Sequence, residues 1–218
     1  MKYKCILFDC DGVLVDSEEI ANRVLVEMAN EVGAEMDLQY AFDHFVGKSM
    51  SDCYDQIAQL ISQPLPAQFD EEYRERSFQA FRSELKPIKG IHEVLDKLTV
   101  PFCVASSGPI EKIRLNLTTT DLIEKFEGKI FSCYEIGKWK PDPAIFLHAA
   151  KVMGFDPVDC VVIEDSLSGV KAARKGGFEV FAYTNPKKKE VFEQEGANVF
   201  YEMKNLMELL REAKAHAS

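Results

Sequence analysis

No apolar run in this sequence approaches the ~18 residues that a membrane-spanning helix needs. The chain enters a strand-like segment at once, so no leader peptide is expected, and a cytoplasmic location is expected with it. Basic residues are in short supply. Lys and Arg number 26 against 36 Asp and Glu, a net charge of −10, which excludes the basic footprint that a nucleic-acid polymer requires. Most of that acidity serves solubility. It also suits a small ligand whose negative charge is met locally by a metal and a few cations. The six cysteines (Cys5, Cys10, Cys53, Cys103, Cys133 and Cys160) form no CxxC pair, which argues against a zinc site or a disulfide framework and for reduced thiols. Internal repeats and low-complexity stretches are missing too. Gly47-Lys48-Ser49 imitates the end of a phosphate loop, but Phe42 stands where its first glycine belongs and no buried strand leads in.

What is present is a composition with a real core, 46% hydrophobic and 28% charged. The chain is organised around residues 4–18. Cys5-Ile-Leu-Phe8 reads as a strand buried on both faces, and Asp9 and Asp11 follow it directly, with Gly12 allowing a sharp turn. Two carboxylates this close repel each other, and a divalent cation held by oxygen ligands is the usual compensation. From Asp16 the pattern turns helical, with segments near 18–33, 38–46, 51–62 and 67–84 and no convincing strand before Leu85. Strands near 102–105, 129–133, 160–163 and 178–183 then alternate with helices, which implies right-handed βαβ units and a parallel sheet. The expected fold is α/β: a Rossmann-like core of residues 1–15 and 86–218, with helices on both faces of its sheet. An all-helical cap of residues 16–85 is inserted, with hinges near 15–17 and 85–90.

In a parallel sheet the carboxyl ends of the strands share one edge, where ligands bind. That edge is expected to gather Asp9 and Asp11, Ser106 and Ser107, Lys140, and Glu164 with Asp165. Singly each has an ordinary explanation: a polar turn, a helix cap, a surface lysine, an acidic helix start. Together they supply what phosphoryl transfer through a carboxylate needs. Asp9 is the expected nucleophile and Asp11 the acid and base. Mg²⁺ is the expected cofactor, held by Asp9, the backbone carbonyl of Asp11 and Asp165, with Glu164 binding directly or supporting from behind. Ser106, the amide of Ser107 and Lys140 are expected to hold the phosphoryl oxygens. Cys10 sits between the two acids, but with no nearby histidine and flanking negative charge it makes a poor nucleophile.

The motifs Phe8-Asp-Cys-Asp-Gly-Val-Leu-Val-Asp-Ser-Glu18, Val104-Ala-Ser-Ser-Gly108, Lys140-Pro-Asp-Pro143 and Ile163-Glu-Asp-Ser-Leu-Ser-Gly169 carry a resemblance to the haloacid dehalogenase-like hydrolase superfamily, in its helical-cap branch. That resemblance implies a Rossmann-like core, Mg²⁺ and an aspartyl-phosphate intermediate. By position it implies the same roles for Asp9, Asp11, Ser106, Lys140, Glu164 and Asp165. Phe131–Ala144 in particular resembles bacterial phosphatases acting on 6-phosphogluconate and similar metabolites. A Mg²⁺-dependent phosphatase of small phosphorylated metabolites is therefore expected, as a monomer or homodimer. β-Phosphoglucomutases share Asp-Gly-Val but carry a cap histidine and arginine where Ala21 and Met50 stand here, so hydrolysis is favoured over mutase chemistry. A receiver-like signalling domain also uses a phosphorylatable aspartate, yet it needs about half this length and leaves the helical insert without a purpose. In the cap, Lys48 is a candidate for an anionic part of the substrate, His44 a weaker one, and Trp139 either packs under the Lys140 turn or reaches substrate.

Overall fold

The computed structural model describes residues 2–45 and 48–212. Among these, the chain runs β1 (Cys5–Phe8), α1 (Glu18–Glu31), α2 (Leu38–His44), α3 (Met50–Leu60), α4 (Phe69–Glu84), α5 (Ile91–Lys97), β2 (Phe102–Ser106), α6 (Ile110–Thr119), α7 (Ile123–Phe126), β3 (Ile130–Ser132), α8 (Cys133–Ile136), α9 (Ala144–Met153), β4 (Cys160–Glu164), α10 (Leu167–Lys175), β5 (Glu179–Tyr183), α11 (Lys189–Gln194), β6 (Asn198–Phe200) and α12 (Leu206–Glu212). It divides into two compact units, residues 1–16 with 86–218, and residues 17–85.

The first unit is built on a six-stranded sheet in the order β3-β2-β1-β4-β5-β6. Every pairing in it is parallel. β1 lies at the centre, paired with β2 through Leu7 and Cys103 and with β4 through Leu7 and Val162. Its four residues are all fully buried, as a strand flanked on both sides and covered on both faces must be. The switch from β1 to β4 on one side and β2 on the other is the topological reversal beside which ligands sit in such sheets. Helix α9 and helix α10 pack onto one apolar layer that includes Leu7, Ala105, Ile145, Phe146, Val162 and Val170. The chain leaves β1 and later returns side by side: the Asp16 amide donates to the Lys86 carbonyl, and the Ile88 amide to the Leu14 carbonyl.

The second unit is helical throughout its described residues. Val24, Leu25, Met28, Phe45, Cys53, Ile57 and Phe69 form its core. Asp37 and Ser49 cap α2 and α3 with their side chains.

The sequence pattern misses α7, α8 and β6. Each is short, and a three-residue strand such as Asn198–Phe200 is too brief to show alternation. The residues over 203–215 read as a closing helix in the sequence; it begins as a 3₁₀ turn at Met203–Asn205 and continues as α12, while residues 213–215 lie outside the described residues. All six cysteines are free and buried. No helix among the described residues is long and apolar enough to cross a membrane.

Candidate active site

The site grows from the end of β1. The ladder to β4 continues one residue beyond the strand, where the Asp9 amide donates to the Ile163 carbonyl at 2.9 Å. This fixes Asp9 beside the end of β4, and Glu164 is the next residue there. The turn after Asp9 closes on itself: the Leu14 and Val15 amides donate to the Cys10 carbonyl, and the Gly12 amide to the Val15 carbonyl. Gly12 has φ +77°, and a Cβ there would lie 1.9 Å from Oδ2 of Asp165. Only glycine permits both that backbone and the approach of the second acid.

Glu164 ends β4, just before α10, and is fully buried. Its Oε2 accepts from the Asp165 amide, the Ser166 amide and the Ser166 hydroxyl at 3.0, 2.9 and 2.8 Å. Ser166 also caps the helix by accepting from the Gly169 amide. Amide donors at a helix start suit a buried carboxylate. Gly169 makes room for it, since a Cβ there would fall 1.8 Å from Oε1.

Lys140 reaches this pair from the segment between α8 and α9. Its Nζ donates to Oδ1 of Asp9 and to Oε1 of Glu164, both at 2.6 Å, and its side chain is 3% exposed. It also lies 4.8 Å from the Phe146 ring centroid. Burial works against its charge, but the attraction of Asp9 and Glu164 outweighs that and lifts its pKa above the ordinary lysine value. Burial, opposed by Lys140 and aided by Glu164, pushes the Asp9 carboxyl up to about 7. The Cys10 thiol is buried between Asp9 and Asp11, and burial together with those charges raises its pKa well above normal.

Asp9, Glu164 and Asp165 each place a carboxylate oxygen within 4.8 Å of the others. Hard oxygen donors converging in this way match Mg²⁺, and the missing Cβ of Gly12 is what lets the Asp165 carboxylate come this close. Glu164 has Oε2 committed to three donors and Oε1 to Lys140, so Asp9 and Asp165 are the acids best placed to hold a cation.

β2 ends beside β1 and brings Ser106 and Ser107 to the same edge. Ser106 is buried and its hydroxyl accepts from the Gly108 amide at 3.1 Å. Ser107 is half-buried, with the Cys133 thiol 3.9 Å from its hydroxyl. Asp11 approaches the same face of Gly108: a Cβ on that glycine would be 3.6 Å from the Ser106 hydroxyl and 3.9 Å from Oδ2 of Asp11. Asp11 in turn accepts from Lys112 at 2.9 Å and from the Asn116 amide at 3.2 Å.

The fold thus collects Asp9, Asp11, Ser106, Ser107, Lys140, Glu164 and Asp165 at one edge of the sheet. Lys48 belongs to the helical unit and is exposed, and its neighbours Val46 and Gly47 lie outside the described residues. His44, also there, stacks on Tyr40 and holds the Tyr40 carbonyl. Trp139 is 46% exposed and meets Tyr134 edge-to-face. Lys112 and Asn116 are additions. A sequence signal for Asn116 exists, because it interrupts the apolar stripe of Ile113 and Leu117 on α6; Lys112 looks like any helix-surface lysine.

The chain is 36% identical over 184 residues to a 6-phosphogluconate phosphatase of Escherichia coli, covering 84% of this chain and 83% of that protein. A solved haloacid dehalogenase-like protein of unknown function from Agrobacterium tumefaciens superposes with a TM-score of 0.87 at 30% identity, covering 97% and 99% of the two chains. A hydrolase from Deinococcus radiodurans, solved with phosphate and sodium bound, gives 0.82 at 29% identity over 97% and 96%. The family described as haloacid dehalogenase-like hydrolase matches residues 3–177, and with the motifs assembled at one sheet edge this chain belongs to that family.

Proposed function

We propose that the protein is a Mg²⁺-dependent phosphatase of small phosphorylated metabolites, acting through an aspartyl-phosphate, with 6-phosphogluconate or a similar sugar-acid phosphate as substrate. The observation that carries this reading is the Lys140 ammonium shared by Asp9 and Glu164 at 2.6 Å beside Asp165. Three separate strand–helix units contribute to it, and no structural need of the sheet calls for such a cluster. The 36% identity to a 6-phosphogluconate phosphatase supports the substrate class. The phosphate and sodium in the Deinococcus neighbour support an anion and a cation held by this fold.

An oxygen of Asp9 attacks phosphorus, and the bond from phosphorus to the ester oxygen breaks. Asp11 gives its proton to that departing oxygen, which leaves as the alcohol. Water then attacks phosphorus of the acyl phosphate, Asp11 takes its proton, and inorganic phosphate departs from a restored Asp9 carboxylate. Ser106 and the Ser107 amide hold phosphoryl oxygens, and Lys140 balances the charge on Asp9 while it forms and loses its bond to phosphorus. Asp9 and Asp165, together with the Asp11 carbonyl, would hold Mg²⁺, and Glu164 would support them. When bound, the ion offsets the repulsion between these carboxylates and the phosphate dianion, on the order of ~4 kcal/mol per unit-charge pair at ~4 Å and an effective dielectric of ~20. The helical unit is assigned the role of a cap that selects the leaving group, with Lys48 meeting an anionic part of it.

The test is phosphate release from 6-phosphogluconate and from p-nitrophenyl phosphate, with Mg²⁺ and with EDTA, for the wild type and Asp9→Asn. Turnover that needs Mg²⁺ and vanishes in Asp9→Asn is expected; full activity of that variant sinks the mechanism. Conversion of β-glucose 1-phosphate to glucose 6-phosphate without free phosphate would replace hydrolysis by mutase chemistry.

A further inference from the structure

Helix α6 begins directly after the Ser106-Ser107-Gly108-Pro109 turn, and two of its residues, one helical turn apart, grip the same carboxylate. Lys112 donates to Oδ2 of Asp11 at 2.9 Å, and the Asn116 side-chain amide donates to Oδ1 at 3.2 Å. Residues at i and i+4 share a helix face, so this two-point hold is set by the helix and not by flexible loop. The Lys112–Asp11 contact is partly shielded, with side chains 23% and 26% exposed.

Asn116 is the telling member. It is fully buried on the face of α6 that also carries Ile113 and Leu117, where an apolar residue would pack at no polar cost. Its Oδ1 is buried and finds no hydrogen-bond partner, so the desolvation of that oxygen goes uncompensated. Turning the amide over would set that oxygen against a carboxylate, so the Nδ2-to-Asp11 orientation is the one the site allows. A residue that burdens the core in this way is expected where function requires it. Nothing in the packing of α6 needs an amide there.

We propose that Lys112 and Asn116 are positioning residues that fix the Asp11 carboxyl group for proton transfer to the leaving oxygen. The inference rests on the role given to Asp11 above. Two donors from one helix face fix both oxygens of the Asp11 carboxyl group, and with them its plane. Because α6 follows directly on the Ser106–Gly108 turn, the phosphate-holding segment and the hold on the acid belong to one continuous piece of chain. The gain is orientational: a proton donor held in line acts at a much higher effective concentration than a freely turning one.

A merely structural role would slow all substrates alike, whereas loss of a positioned acid penalises poor leaving groups. The measurement is kcat/KM, which stops at phosphoryl transfer to Asp9. It compares 6-phosphogluconate, whose alcohol needs a proton to leave, with p-nitrophenyl phosphate, whose phenolate does not. For Lys112→Met and Asn116→Leu, kcat/KM on 6-phosphogluconate is expected to fall at least about tenfold more than on p-nitrophenyl phosphate, within the range of general acid catalysis. Lys112→Arg should restore most of the difference. Asn116→Leu removes a buried unpaired oxygen, so a melting temperature no lower than wild type is expected alongside the catalytic loss. Equal losses on both substrates, no loss, or faster turnover, with Asp9→Asn inactive, would overturn this inference alone. An Asp9→Asn variant that still turns over would overturn it together with the reading it rests on.

Discussion

Lys140 and Glu164 are joined by a 2.6 Å contact between an ammonium that is 3% exposed and a carboxylate that is fully buried. The same ammonium holds Asp9 at the same distance. The lysine therefore offsets the charge of two acids that the ends of β1 and β4 force together, and its loss leaves both without a counter-cation. Lys140→Met is expected to abolish turnover and, in EDTA, to lower stability by about 3–5 kcal/mol, the usual cost of breaking a buried pair. Mg²⁺ should stabilise the variant more than the wild type, since the cation then meets an uncompensated acid cluster. Urea denaturation with and without Mg²⁺ decides it; a variant as stable as wild type in EDTA contradicts the pairing.

Gly169 faces the same carboxylate from the first turns of α10. Its Cβ would stand 1.8 Å from Glu164 Oε1, and three hydrogen bonds keep Glu164 from moving away. Gly169→Ala, although an alanine favours helix, is expected to lose at least about 2 kcal/mol through overpacking. The midpoint of denaturation gives the answer, and a stabilised Gly169→Ala protein would mean that Glu164 sits elsewhere.

Metal binding should depend on pH with a definite sign. Burial, only partly offset by Lys140, pushes Asp9 up to about 7. Below that value the carboxyl holds a proton that Mg²⁺ must displace. Apparent Mg²⁺ affinity is thus expected to rise as pH increases toward 7 and to level off above it. Titration calorimetry at pH 6 in buffers of different ionisation heat should register proton release; affinity flat from pH 6 to 8 with no release would remove Asp9 from the ligand set.

Cys10 should be inert. Its thiol is buried, and burial with the charges of Asp11 and Asp9 keeps the thiolate scarce. Native protein treated with iodoacetamide at pH 8 is expected to show no label at Cys10 by mass spectrometry until urea is added. Rapid labelling with loss of activity would reopen a thiol mechanism.

The edge at which the acids meet was legible before any coordinates. Apolar runs at Cys5–Phe8 and Cys160–Ile163, each followed by acids, sit in a strand–helix alternation that forces parallel strands. Parallel strands bring Asp9, Ser106 and Glu164 to one side however far apart they are in the chain. The partner of Lys140 was not legible in that way. It stands well beyond β3, which ends at Ser132, in a segment without periodicity, so nothing local fixes where its ammonium goes.

The sequence alone determined the order of the chemistry along the chain and the sheet edge that receives it, because hydrophobic periodicity and strand direction are local properties. Tertiary structure decided which charges touch. Lys140 between Asp9 and Glu164, and Lys112 with Asn116 on Asp11, depend on helices and turns packing within a few tenths of an ångström. That precision is set by the filled core around them and is written in no single stretch of residues.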